Sequence, residues 1–514
     1  MNTVIITDLR RAEAREAAIF LTEAGYRVVT VPEAVPLWDE EALTAFAAPY
    51  QEDIIGVIHP APPVISGGIL EITPQQWDQA AQEGAVAALV VTKVFCGIFR
   101  EKGAGSFIFL NSFHAEKPVG KGLLFSIGCG AADMLSREAY QDYGAHNVHV
   151  YFVEKGITEE DFSAKSDVSP IYCGTDLRYP ARKLPESSYL NGLLAFLLTE
   201  AAAPLAGGPI RADQGLMGFY NIHREKKEGV RYHESGPAQA PLTELSQRRR
   251  DPEEIEAALQ EDPAEERVAL ITGGGKGVGA GIVRVLTSKG IRCCIGCHSN
   301  VKMAEEVEAE VKARGGEAFI YLADVSDPEQ VEAMVQEVIR RYGRLDILVN
   351  NAAMQPNRYI DEYTAESFRK LWEINIGGYF NAVRAALPYI RRSPAGRIIN
   401  MSSVHGKRPA QFDAGYAMTK GAIRMFTREL ALELIAEKIP VNALDLGAVQ
   451  IEFKTGGAPW HTFRPVEISN PEMPAYPHFV LPEEVGAMVW FLLSRAGSSV
   501  DGDGIRIDRG LVLY

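Results

Sequence analysis

Short apolar runs alternate along this chain with longer segments whose apolar positions recur at helical spacing. In the second half, Arg267-Val-Ala-Leu-Ile-Thr272 reads as a buried parallel strand. A glycine-rich turn follows at 273–281, then an amphipathic helix over 282–289. Residues 292–297 form the next strand, 303–314 a helix, and 318–322 a third strand. A fourth strand over 345–349 ends in Asn350-Asn-Ala-Ala353, and a fifth, 398–403, ends in a serine pair. Such alternation predicts an α/β fold, a doubly wound parallel sheet with ligands at the carboxyl ends of its strands.

The first half follows the same order. Ile5-Ile-Thr7 mirrors Leu270-Ile-Thr272 at an offset of 265. Thr73 with Trp77 answers Thr364 with Phe368, and His114 to Pro118 answers His405 to Pro409, both at an offset of 291. Ile210-Arg-Ala-Asp-Gln-Gly215-Leu216 matches Ile505-Arg-Ile-Asp-Arg-Gly510-Leu511. Landmarks shared in this order imply duplication: a domain over 1–220, a charged linker over 221–265 and a second domain over 266–514. The first copy is 26 residues short before the strand near Val57, about one helix and one strand. That unit helps hold the adenosine of a dinucleotide.

At 514 residues, two domains of about 250 are the natural division. Hydrophobic content of 46% and charged content of 23% describe an ordinary soluble globular chain. A formal charge of −15 leaves no global field for nucleic acid or anionic membrane. The one dense basic run, Arg248-Arg-Arg250, is followed by Asp251, Glu253 and Glu254 and reads as a solvated linker helix. The N-terminus lacks the pattern of a secretory signal. No uninterrupted apolar run reaches the roughly 20 residues of a membrane span, Leu193 to Leu198 being taken as the greasiest. Six cysteines are too few for a disulfide scaffold, which places the chain in a reducing, cytoplasmic compartment. Cys294 and Cys297 lie on a buried strand with no second pair to complete a metal site, so no metal is expected.

Candidate chemistry concentrates in the second half. Gly273, Gly275, Lys276, Gly277, Val278 and Gly279 stand between a strand and a helix N-terminus, where free N–H groups accept a pyrophosphate. The second strand ends in His298, Ser299 and Asn300, without the acid that grips the ribose hydroxyls of NAD. With Lys276 nearby this favours the 2′-phosphate of NADP; if Lys276 only faces solvent, NAD is accepted as well. Asp324, Val325, Asn351, Ala352, Ala353, Gly447 and Val449 extend the cofactor set along the other strand ends. In the first half, Asp8, Ala12 and Ala14 stand where the second has Gly273, Gly277 and Gly279, which blocks the approach of a pyrophosphate.

Ser403 lies 13 residues before Tyr416, and Tyr416 and Lys420 share one helix face at i,i+4 spacing. An ammonium beside a phenol lowers the phenol's pKa, so Tyr416 is expected to exchange a proton with a substrate oxygen held by Ser403. Asn375 is expected to support a water path to Lys420. The first half has Gly84, Ser112, Phe125 and Cys129 at these places.

Together, Thr272-Gly-x-x-x-Gly277-x-Gly279, Asn350-Asn-Ala-Ala353, Asn375, Ser403 and Tyr416-x-x-x-Lys420 resemble the short-chain dehydrogenase/reductase superfamily over nearly all of 266–514. The resemblance extends more faintly over 1–220. It implies two tandem Rossmann-like domains and an NADP(H)-dependent alcohol dehydrogenase or carbonyl reductase acting on a small-molecule substrate. It also implies a catalytic role for Asn375, Ser403, Tyr416 and Lys420. The chain departs from the family in Leu446-Gly447-Ala-Val449, where a proline and a threonine are usual, and in Ala353, where a glycine is usual. Members pair through the tyrosine helix and the one before it, so the first domain is expected to occupy a partner's place and two chains to form a pseudo-tetramer. A ligand-sensing first domain, or a scaffold without turnover, is the alternative. Phe453, Trp460, His461, Phe463, Tyr476, His478 and Phe479 lie in the family's substrate-lid region and fit an apolar or ring-bearing substrate, or packing against a neighbouring subunit. Sugar, acyl thioester, steroid-like ketone and polyol stay open.

Overall fold

The structure, a computed structural model, describes residues 2–62, 64–118, 121–158, 184–213, 267–409, 413–450, 480–494, 497, 500–502 and 504–508. The linker over 221–265, the aromatic stretch over 453–479 and the Gly-Leu ends of the last repeat lie outside these residues.

The first half folds as β1 (Thr3–Ile6), α1 (Ala12–Glu23), β2 (Arg27–Thr30), α2 (Glu40–Ala47) and β3 (Ile54–Pro60). It continues through α3 (Pro74–Ala80), α4 (Ala87–Lys102), β4 (Gly105–Ser112), α5 (Leu123–Tyr143), β5 (Val148–Lys155), α6 (Asn191–Leu197) and β6 (Pro209–Ala212). The second half begins with β7 (Val268–Thr272), α7 (Gly277–Ser288), β8 (Arg292–Cys297), α8 (Val301–Ala313), β9 (Ala318–Leu322), α9 (Pro328–Tyr342) and β10 (Ile347–Asn350). Then follow α10 (Ala365–Trp372), α11 (Gly378–Ile390), β11 (Arg397–Ser403), α12 (Ala414–Leu434), β12 (Val441–Leu446), α13 (Pro482–Leu493) and β13 (Gly504–Ile507).

Every described strand pairing is parallel. The second sheet has the order β13-β12-β11-β10-β7-β8-β9 and the first β2-β1-β3-β4-β5-β6. The difference is the counterpart of β9 and one helix, which accounts for the 26 missing residues. Both sheets are doubly wound, with the chain crossing over beside the first strand of each half, as the alternating pattern predicts.

Several repeated landmarks have identifiable local work. Thr73 and Thr364 each cap a helix through a capping box, with Gln76 and Ser367 as the reciprocal partners. Four residues on, Trp77 and Phe368 are both buried. After each of these helices the chain makes a π-helical turn, Ala81–Val86 in one half and Glu373–Gly377 in the other. Such turns tend to mark functional positions. Here the first half keeps the turn and has lost the asparagine it carries.

Each sheet has one private apolar face, built around Val4, Ile58 and Tyr151 in one half and Ile271, Ile295 and Ile399 in the other. The opposite faces join in a single core running from Val57 and Phe107 through Phe95 to Phe368 and Phe426. Helices α5 and α12 cross at its centre. A Cβ on Gly130 would stand 2.7 Å from the Gly421 carbonyl oxygen, and a Cβ on Gly421 would be driven into Gly130 O. These glycines are 291 residues apart, so they face each other across the pseudo-twofold axis. Around it, the indole of Trp77 stacks on Phe380 at 4.4 Å and donates to Glu373 Oε2 at 3.1 Å.

Pro74–Lys102 runs as 29 helical residues and meets the length and mean composition of a membrane span, although Glu83 and Lys93 interrupt its apolar run. Most of that apolar window, 72%, is buried in the shared core. Its only cation between Ala81 and Phe99, Lys93, pairs with Glu40 and the Tyr363 carbonyl at the edge.

Candidate active site

The carboxyl edge of the second sheet collects most of the expected residues. Gly273 opens the first turn at φ +66°, a conformation that costs glycine nothing, and a Cβ there would press on Ala352 Cα at 3.0 Å. Helix α7 starts at Gly277, five residues before the expected position, so its first-turn N–H groups belong to the glycine loop itself. Asn351 locks this loop to the end of β10. Its Nδ2 donates to the Thr272 and Gly273 carbonyls, both at 3.0 Å, while its own N–H donates to Thr272 Oγ1 at 2.9 Å. Ala352 N–H donates to the same hydroxyl at 3.1 Å. The loop is therefore a preformed cradle that fits a pyrophosphate.

Lys276 is exposed beside it, as are His298, Ser299 and Ala353. His298 Nε2 stands 3.8 Å from Asp324 Oδ2. Burial opposes ionisation of Asp324, but the Ser326 hydroxyl and N–H outweigh it and hold the carboxyl below its usual range. Asn300 is the non-helical residue before α8. Val325 is buried under Gly378 and its carbonyl accepts from Asn381, so its side chain packs against α11. Gly447 N–H donates to the Ile507 carbonyl, and Val449 bridges to Val480.

Ser403 ends β11, opposite Leu446 of β12. Its hydroxyl hydrogen-bonds the Tyr416 side chain and contacts the Leu446 carbonyl at 3.3 Å. Tyr416 and Lys420 project from the first two turns of α12, with the Lys420 ammonium nitrogen 5.2 Å from the centre of the tyrosine ring. Lys420 Nζ donates to the Met401 carbonyl at 2.8 Å. The expected electrostatics are corrected at this point. Burial raises Tyr416 above the ordinary phenol range, reinforced by Asp413, and the bond from Ser403 only partly offsets it. Burial also lowers Lys420 to about 7, opposed by Asp445 and Asp413. Burial makes each group favour its neutral form.

Asn375 sits on the π-helical turn, fully buried. Its Oδ1 accepts from Met354 N–H at 2.8 Å, and its Nδ2 donates to Met354 O at 2.9 Å and Thr419 Oγ1 at 3.0 Å. The side chain thus ties the loop after β10 to the tyrosine helix.

The structure adds residues that the motifs did not single out. His405 Nδ1 lies 2.6 Å from Asp413 Oδ2, and its ring meets Tyr416 edge-on at 6.1 Å. Asp413 N–H donates to Glu138 Oε1 of the first domain at 3.1 Å. His405 was visible only as a repeated landmark and Asp413 as an acid three residues before the tyrosine. Glu138, 275 residues away, left no local signal.

The corresponding edge of the first sheet is closed. Lys155 ends β5, opposite Ser112, and is ion-paired with Glu13 of α1; the lysine is 3% and the glutamate 1% exposed. Asp8 is bound by Arg10, which also reaches Glu83. Cys129 is buried and its thiol is pushed up, so no charge stands where the second domain has Lys420. Cys293, Cys294 and Cys297 are buried on β8, and no metal-binding group of His, Cys, Asp or Glu occurs among the described residues.

Known proteins resemble both halves. The sequence model of the short chain dehydrogenases matches residues 267–460, and that of enoyl-(acyl carrier protein) reductase matches 2–217. A hydroxynaphthalene reductase of Aspergillus fumigatus is 32% identical over 250 residues, 47% of this chain and 90% of the relative. Glucose 1-dehydrogenase 2 of Bacillus subtilis is 30% identical over 48% of this chain and 95% of its own length. A 3-oxoacyl-[acyl-carrier-protein] reductase of Staphylococcus aureus is 34% identical over 35% of this chain and 74% of its own. The chain belongs to the short-chain dehydrogenase/reductase family of oxidoreductases, and both of its halves are drawn from it.

Proposed function

We propose that the second domain interconverts a secondary alcohol and a ketone with NADP(H), and that the first domain is structural. One observation carries this reading. Ser403, Tyr416 and Lys420 meet at the strand ends beside a glycine cradle, while the duplicate half, packed against it, retains neither cradle nor proton donor.

Gly273 to Gly279 would hold the pyrophosphate. Lys276, His298, Ser299 and Asn300 would meet the ribose and its phosphate, since none of them repels a 2′-phosphate. The nicotinamide supplies or accepts the hydride when bound. Ser403 orients the substrate oxygen and Tyr416 passes it a proton, for which a neutral phenol is the correct starting form in the reducing direction. Lys420, near its titration point at neutral pH, returns that proton to the tyrosine. Asn375 acts as a brace. The names of two relatives, for a hydroxylated ring and for a sugar, support an alcohol–ketone couple on a hydroxylated small molecule.

NADPH oxidation against a panel of ketones tests the assignment. Tyr416→Phe is expected to lower kcat by about 1,000-fold, within the usual range for general acid catalysis, and to leave the Kd for NADPH unchanged. Undiminished turnover in that variant overturns the mechanism. Tighter binding of NADH than NADPH overturns the cofactor assignment.

A further inference from the structure

Two histidines follow equivalent serines at equal spacing, and their rings take different partners. In the first domain, His114 Nδ1 lies 2.6 Å from Ser112 Oγ. In the second, His405 Nδ1 lies 2.6 Å from Asp413 Oδ2. The Ser403 hydroxyl there bonds the Tyr416 side chain, reaches the Leu446 carbonyl at 3.3 Å and accepts from the His405 backbone N–H at 3.2 Å, not from its ring. The residue 291 positions before Asp413 is Gly122, so the first domain has no carboxylate at that place. A serine hydroxyl offers one proton, and an imidazole beside it competes with any other acceptor.

Asp413 is itself held from two sides. Gln355 Nε2 donates to its Oδ2 at 3.0 Å, and Glu138 Oε1 accepts from its backbone N–H at 3.1 Å. Glu138 is fully buried on α5 of the first domain. Its counterpart on α12, Glu429, reaches the other way and accepts from Ser126 Oγ at 2.6 Å. Each crossing helix therefore lends a glutamate to the other half, at non-equivalent places, and only the arm of Glu138 ends beside a tyrosine.

We propose that Asp413, braced by Glu138 of the first domain, is a positioning residue that keeps His405 off Ser403, so that the silent domain completes the active site of its neighbour. This rests on the roles given above to Ser403 and Tyr416. Without the carboxylate, the His405 ring takes the Ser403 hydroxyl, as His114 and Ser112 already do, and the substrate oxygen loses its donor.

Asp413→Gly recreates the first domain's arrangement in the full chain. Its kcat is expected to fall about 100-fold, the scale of losing one oriented donor, with KM little changed. Adding His405→Ala to Asp413→Gly should return at least about tenfold of that loss, because the competing ring is gone. Asp413→Asn, whose amide oxygen still accepts from Nδ1, should keep most of the activity. A loss that His405→Ala does not recover overturns the proposal and makes Asp413 a helix support alone. If Asp413→Gly does not fold, Glu138→Ala takes its place, read by the nitrogen chemical shifts of the His405 ring. A shift of Nδ1 away from the carboxylate-bonded position supports the bracing, and an unchanged spectrum overturns it. That spectrum needs no turnover, so an inactive wild type would end the reductase reading and leave this one standing or falling separately.

Discussion

The carboxyl edges of the two sheets were once the same place, and they now solve opposite problems. In the second domain the first turn is held open by Asn351, and the residues equivalent to Glu13 and Lys155 are the apolar Val278 and Leu446. In the first domain the two charged residues meet and close the edge from within. A buried ion pair is seldom a net gain in stability over apolar residues of similar size. What this pair does is fill a cleft. Losing the glycines removed the cradle, and losing the β9 counterpart removed one wall. The contrast teaches that the first domain is built around a charged pair at the very edge that the second keeps apolar.

The largest effect should come from breaking that pair. Lys155→Leu leaves the buried Glu13 with only Arg11, 3.9 Å away, to face its charge, and is expected to cost about 3 kcal/mol. The double variant Lys155→Leu with Glu13→Val installs the second domain's own residues and should recover most of that loss. Urea unfolding of the three proteins measures both steps. If the single change costs under about 1 kcal/mol, the pair is not what closes the edge.

Protonation sharpens the same comparison. Lys420 is held down to about 7 by burial, and Cys129, at the equivalent place, is pushed up and stays neutral. An unfolded lysine keeps its proton to about 10.4. Folding therefore releases a proton between about 7 and about 10.4, and the contribution of Lys420 to stability grows as pH rises through that window. Activity has the opposite sign. On the proposed mechanism the ammonium form returns the proton to Tyr416, so kcat/KM for reduction should fall up to about tenfold per pH unit above about 7. Lys420→Arg keeps its charge and should lose this inflection. A profile unchanged by Lys420→Arg assigns the titration to another group.

The crossing of α5 and α12 predicts a smaller effect. Gly130 and Gly421 bring two backbones together where a methyl group does not fit. Gly421→Ala should cost about 1–3 kcal/mol through overpacking. Because Lys420 is the preceding residue, kcat should fall with it. The same substitution at Gly97 or Gly128, where a Cβ meets nothing within 4 Å, should be near neutral and provides the control.

Much of this architecture was legible in the chain because it rests on local rules. Apolar runs marked the strands to within two residues: 318–322 is β9 as read, and 345–349 became Ile347–Asn350. The i,i+4 spacing placed Tyr416 and Lys420 on one helix face, and the 26-residue deficit foretold a missing strand and helix. What escaped depends on distance or burial. Glu13 and Lys155 are 142 residues apart, and charged side chains read singly look like solvated ones. Spacing shows that a lysine is near a tyrosine but not that both are dry, so the direction of the Tyr416 shift was misjudged. The π-helical turns carry no composition signal. The helical stretch 74–102 hid its apolar length behind Gln79, Gln82 and Glu83, polar residues that sit on one rim.

The subtlest difference between the halves lies on the pseudo-twofold axis itself. Asp78 and Arg369 are 291 residues apart, hence the same position in each copy, and they form an ion pair with each other. In a symmetric pair of either domain, that position would face its own kind: two aspartates or two arginines. One turn later Gln82 and Glu373, also 291 residues apart, both accept from Arg369. The charges therefore favour the first domain against the second over either domain against itself, a discrimination built from repulsion as well as attraction. The pair is partly exposed, 25% on the arginine and 65% on the aspartate, so its strength is at most about 1 kcal/mol. Asp78→Arg should reduce stability by about that amount, and more at low salt, where screening is weak. Exchanging the two, Asp78→Arg with Arg369→Asp, should restore it, since the axis makes the positions interchangeable. A double variant no more stable than Asp78→Arg alone would show that Glu373 and Gln82, which stay in place, have already broken the symmetry at this contact.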